Sequence, residues 1–280
     1  MTKIIHAGFQ RLFKLKVLYI CFALIFYIDG IDLIFEYISA ESKDQLPDIE
    51  GYLLSGFLAV VLFSAVFITF FLGSEYTFGT IRNKMIVGHG RLAVYLGNFV
   101  VCYTGVMMMY AWVWLLVAAL GIPMLGGFGL GTSELLEKLL FSFLGITALT
   151  ALYVLIAMCI HSKSLSAVIA IMAAFIMMIS SVMTIQILSE PEYIPAAQLS
   201  EEYSQNTFKP SPDDPSLVSN PSYVTGTRRK VYKLIHELCP VTQILDGQSG
   251  LTAKRVLIPL GELILAAAAG IVVFKKRDLK

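Results

Sequence analysis

Three groups of residues in this 280-residue chain have the types and spacing for chemistry. The first is Asp29, Asp32 and Glu36, at i, i+3 and i+7. A helix would set them on one face, as an acidic mouth that attracts a cationic substrate. The competing reading is an apolar stretch that ends at Asp29, with solvated acids beyond. The second is Glu262, alone in an apolar run. An acid at such a position must pair with a base, hydrogen-bond a hydroxyl or meet a substrate. The third is the polar stretch GSEYTFGTIRNKMIVGHGR, residues 73–91, with Glu75, Gly79, Thr80, Arg82, Lys84 and Arg91. These residues offer a mixed polar surface on which a short helix could dock a partner. The plainer reading is a basic loop that only fixes topology.

Other patterns imitate chemistry without its context. Gly88 to Ala93 matches GxGxxA, but a dinucleotide site needs a preceding strand in a βαβ unit. The glycine-rich run 126–131 reads as a turn between apolar stretches. Ile244-Leu245-Asp246-Gly247 resembles the strand end of an ATPase site, yet no GxxxxGK[ST] occurs anywhere. ATP hydrolysis by this chain is therefore not expected, and no nucleophile–base constellation is evident. Cys21, Cys102, Cys159 and Cys239 show no CxxC, and the four histidines are scattered. No metal site and no disulfide framework is expected. Clustered methionines such as Met107 to Met109 read as packing between helices.

The elements that must position these residues are membrane spans. The chain is 57% apolar and 15% charged, with mean hydropathy +0.75. A soluble domain carries about 25% charge, so a soluble globule and a disordered chain are excluded. The net charge of +1 gives no reason to expect nucleic acid. About 20 residues cross a hydrocarbon core of about 30 Å. Runs 53–72, 92–120, 139–160, 164–188 and 256–274 meet that length, and 17–38 meets it with a polar outer third. The expected fold is an all-α membrane protein with six transmembrane helices. Residues 17–188 hold the first five, with the segment 73–91 between the second and third. Along the first span, Asp29 stands about 20 Å above Lys16 at 1.5 Å per residue. A basic stretch precedes that span, as in a signal peptide, but no small-x-small cleavage site follows it, so the span is expected to be retained.

Basic residues set the expected orientation. Segments 1–16, 73–91, 161–163 and 275–280 hold twelve Lys/Arg against two acids, whereas 39–52 and 121–138 hold two against six. Both termini are therefore expected in the cytoplasm, with 256–280 forming the last span and a basic cytoplasmic tail. Residues 3–16 have an apolar stripe and a basic side, which suits an interfacial helix over 1–16. The same residues also suit a cytoplasmic extension of the first span. In the large outer loop, 189–255, six of the ten prolines lie between Pro191 and Pro221. Its first half reads as irregular, and 227–238 as a short helix ended by Pro240.

The run Glu75-x-x-x-Gly79-Thr80-Ile81-Arg82, followed by Gly88 and Arg91, resembles the segment after the second span of ABC type-2 transporter permeases. The exit Phe274-Lys275-Lys276-Arg277-Asp278-Leu279 is similar to that family's exit from its sixth span. The chain departs from the pattern at Gly90, where Ser or Thr often stands, and at Asn98, where Lys often does. The resemblance covers the whole layout but only about 25 residues of motif. It implies a permease subunit in a cell membrane, of the bacterial plasma-membrane kind, that exports its substrate. A separate cytoplasmic ABC ATPase would carry ATP and Mg, and a second permease chain, identical or a close paralogue, would complete the pathway. Residues 73–91 would form the coupling helix in a groove of that ATPase. Glu75, Tyr76, Phe78, Gly79, Thr80, Arg82, Lys84 and Arg91 would make or support the contact, with help from the N-terminal helix. The substrate would be a hydrophobic or amphipathic peptide, an antibiotic, a lipid-like molecule or a cation.

Two other functions fit the residues alone. One is an ion-coupled secondary transporter using Asp29, Asp32 and Glu262, with Gly97-Asn98 as a break in the third span. The other is a membrane sensor or immunity protein that receives its signal on the 189–255 loop.

Overall fold

A computed structural model describes residues 2–43, 49–160, 162–195, 217–246 and 252–276. It is a helical bundle in which six helices are long and apolar enough to cross a membrane. The first is α2 (Lys16–Lys43), preceded by the separate helix α1 (Thr2–Leu12). Next come α3 (Ile49–Thr77) and the seven-residue α4 (Thr80–Ile86). The third span starts as α5 (Arg91–Leu116) and passes through a π-helical turn at Val117–Gly121 into α6 (Ile122–Leu125). Then follow α7 (Thr132–Cys159) and α8 (Lys163–Ser189). Strands β1 (Tyr193–Pro195) and β2 (Leu217–Ser219) pair antiparallel, Ile194 opposite Val218. Helices α9 (Gly226–Leu238) and α10 (Pro240–Leu245) lead to α11 (Ala253–Lys276).

Burial ranks the spans. Of the most apolar stretch of α3, 67% is buried inside the chain, against 22% for α8 and 11% for α11. Helix α3 is thus the axis of the bundle, and α11 and α8 leave most of their apolar surface to lipid or to another chain. Helices α3 and α7 are joined by Tyr153, whose hydroxyl donates to the Val61 carbonyl at 3.2 Å. In lipid such packing and hydrogen bonding hold helices together, because apolar burial alone gives no preference for a neighbour over an acyl chain.

Several expectations are refined or overturned. The first span does not stop at Asp29: α2 runs unbroken to Lys43, and Asp29 is buried. Residues 2–12 are not an extension of that span, because Phe13 to Leu15 separate α1 from α2. Nor does α1 lie only on a surface. Ile4 meets Gly97, Gly8 meets Val101 and Leu12 meets Gly105, so α1 runs alongside α5 in the same direction. A Cβ on Gly8 would stand 2.7 Å from Val101 Cγ2, so glycine is what lets the two backbones come this close. The third span is helical through Gly97 and Asn98, and its irregularity is the π-turn further on. Pro240 both follows the end of α9 and opens α10 as its first residue, where its missing N–H costs nothing. Within the stretch read as irregular, β1 and β2 pair as a short ribbon; residues 196–216 lie outside the described residues, as do 277–279 of the C-terminal motif.

One end of the bundle gathers α1, α4, the α7–α8 turn and the end of α11. Lys163 packs on Gly73 and over the Phe70 ring, Tyr76 donates to the Met158 carbonyl, and the Phe274 ring lies tilted beside Tyr95. This is the end at which the expected coupling segment sits.

Candidate functional site

Residues 73–91 divide into an anchor and a knob. Gly73 to Thr77 are the last turn of α3, which continues past the predicted limit at residue 72. Gly79 then reverses the chain with φ +64°, a left-handed conformation that costs a side chain about 1–2 kcal/mol. Helix α4 follows, with Ile81 buried beneath it. Gly88 closes the knob with a second positive φ, its N–H on the Met85 carbonyl at 2.9 Å.

The anchor is Glu75, whose side chain is 1% exposed. The sequence places it on a polar surface; the structure buries it, because four helices converge there. Arg11 of α1 puts Nη1 2.5 Å from Oε1, and Lys84 of α4 donates to the same oxygen. Asn98 Nδ2 of α5 donates to Oε2 at 2.6 Å, and Lys84 also reaches Asn98 Oδ1 at 3.2 Å. Thr80 Oγ1 donates to the Glu75 carbonyl at 3.0 Å. The Arg11 guanidinium lies 4.0 Å over the Phe71 ring. A carboxylate so buried is tolerated only when paired and hydrogen-bonded, and both its oxygens are engaged here. Lys84, expected at the surface, belongs to this buried network. Arg91 acts elsewhere: it donates to the carbonyls of Phe274 and Lys275 and ties α5 to the end of α11.

The knob is what remains outside. Phe78, Ile86 and Val87 are 76%, 72% and 77% exposed, and Arg82 is exposed between them. Three large apolar side chains and one cation are thus exposed together on and beside a short helix at the end of the bundle, a surface of the kind that marks interaction sites. Sequence reasoning named Phe78 and Arg82 but passed over Ile86 and Val87. The available signal was a pair of large aliphatic residues inside a polar inter-span segment. It also passed over Arg11 as an anchor. Tyr76 is partly buried and holds α3 to α7 through its bond to Met158.

Of the acids predicted to act together on α2, Asp29 and Asp32 sit against α3. Asp29 is 2% exposed, faces the Cα of Gly56, and its Oδ1 has no hydrogen-bond partner among the described residues. Asp32 accepts from Ser55 Oγ at 2.6 Å, and Glu36 is partly buried two turns beyond Asp29. Glu262 lies elsewhere, in a groove between α7, α8, α9 and α11, with both carboxyl oxygens buried and unpartnered among the described residues. The structure therefore keeps Glu262 apart from the α2 acids. No group of three or more His, Cys, Asp or Glu able to hold a metal occurs among the described residues.

No protein-family model matches this chain, and no curated protein matches it significantly.

Proposed function

We propose that the chain is the membrane subunit of an ABC-type exporter and that α4 is its coupling helix. The observation that carries this reading is the exposed knob of Phe78, Arg82, Ile86 and Val87, held rigidly out from the bundle by the buried Glu75 network. A seven-residue helix is too short to be stable alone. Fastened at its base to α1, α3 and α5, it transmits force instead of bending. The partner ATPase binds ATP and Mg, and closure of its dimer pushes α4. Because Glu75 belongs to α3, that push reaches the axis of the bundle directly. Helices α1 and α5 move with it through Arg11 and Asn98.

In this reading α4 and both termini face the cytoplasm of a cell, bacterial by resemblance, and a second permease chain covers the exposed spans. The export direction, the ATPase and the second chain come from the resemblance in the 73–91 motif and the six-span layout. Gentle-detergent purification of the chain from its native cell tests the proposal through the identity of the proteins that accompany it. The buried carboxyl of Asp29, with Oδ1 unpartnered, favours a second reading, an ion-coupled transporter. Transport that follows a proton or sodium gradient without an ATPase would select it.

A further inference from the structure

The groove that holds Glu262 has a volume of about 640 Å³, within the roughly 300–1,000 Å³ of small-molecule sites. Its walls are Leu152 of α7, Met177 of α8, Leu234 and Leu238 of α9, and Leu265 of α11. Glu262 is the one charged side chain among its described lining residues. It stands nine residues into α11, about 14 Å along the helix at 1.5 Å per residue. Pro259, one turn earlier, lies inside the same helix.

We infer that this groove binds a lipophilic amine, with the ammonium on the Glu262 carboxylate and the apolar body against α7, α8 and α9. The chemistry is selective. Two buried acceptor oxygens without donors are costly in an apolar setting, and an ammonium supplies both the donors and the opposite charge. Among the described lining residues an anion finds no cation to meet. A zwitterionic lipid headgroup would bring its phosphate toward the carboxylate and would have to leave the interface to reach this depth. Leu234 and Leu238 give α9 a direct part: the outer-loop helix forms one wall of a site that the spans alone would leave open. The site lies wholly on this chain, so its occupancy does not depend on the ATPase reading.

The test is binding of radiolabelled imipramine, a lipophilic tertiary amine, to the full chain in nanodiscs without any ATPase. Saturable binding of one molecule per chain is expected. Glu262→Gln should weaken it by roughly tenfold to a hundredfold, the range of one charge-assisted hydrogen bond. Leu152→Trp, which keeps the acid and fills the groove, should weaken it comparably. Both variants are checked for an unchanged elution volume and melting temperature. No saturable binding to the unaltered chain, or equal binding to Glu262→Gln, overturns the inference. So does disulfide cross-linking of Leu265→Cys chains to one another without amine binding, which would make the groove a contact between copies. Each of these failures leaves the coupling role of α4 standing.

Discussion

Arg11 and Glu75, 64 residues apart in the chain, meet with Nη1 2.5 Å from Oε1 at the base of α4. The contact joins the N-terminal helix to the last turn of the central span. It makes α1 part of the device that holds α4 in place. Lys84 and Asn98 complete the arrangement, so one buried acid serves four helices.

Glu75→Ala removes the centre of that network and leaves Arg11 and Lys84, each partly exposed, to be rehydrated. The expected cost is about 1–3 kcal/mol, below that of stranding a fully buried charge. Amide exchange over residues 78–90 should quicken while exchange within α7 stays slow. Unaltered exchange at α4 would show that the network does not hold it.

Substitutions on the knob should do the reverse. Phe78→Ser, Arg82→Ala and Ile86→Asp act on exposed side chains and should change stability by no more than about 0.5 kcal/mol. If the knob is a docking centre, each should weaken ATPase binding about tenfold or more. Equal ATPase recovery with all three variants would remove α4 from the interface.

Two glycines test the geometry independently of function. Gly79→Ala places a side chain at φ +64° and should cost about 1 kcal/mol, expressed locally at α4. Gly105→Ala sets a Cβ 2.5 Å from Phe67 Cζ, with Leu12 close by. It should lower the melting temperature of the whole bundle and loosen α1, at a cost of about 1–3 kcal/mol. Comparable melting of Gly105→Ala and the unaltered chain would contradict the close packing of α1, α3 and α5.

The proposed orientation predicts opposite labelling of the two ends. In intact cells, a membrane-impermeant maleimide should react with Lys233→Cys on α9 and spare Ile86→Cys on α4 until the cells are broken. Both positions are exposed, so the reagent reads sidedness. The opposite pattern would invert the bundle and place α4 out of reach of any cytoplasmic ATPase.

The six spans were readable from the sequence because twenty apolar residues in a row leave few alternatives. The separate α9 was readable for a related reason: Val231, Leu234, Ile235 and Leu238 recur at helical spacing before a proline. The site was only half readable. Charge pattern marked 73–91 as one segment, but it could not separate Glu75, which is buried, from Arg82, which is exposed. That difference depends on Arg11 and Asn98, brought in by tertiary packing from 64 residues before and 23 residues after Glu75. The course of α2 past Asp29 was also hidden. Local hydropathy falls there, while the support for the helix comes from α3, where Gly56 leaves room for the carboxyl and Ser55 bonds Asp32. The groove at Glu262 joins α9 to three spans, so no single stretch of sequence contains it.

The most direct test of the central claim is purification of the chain from its native cell in gentle detergent, with and without prior cross-linking, and identification of what comes with it. The account predicts a stoichiometric partner carrying GxxxxGK[ST], retained by the unaltered chain and lost when Phe78 and Ile86 are both replaced by Asp. Recovery of the chain without any ATPase, after cross-linking as well as before, would contradict it.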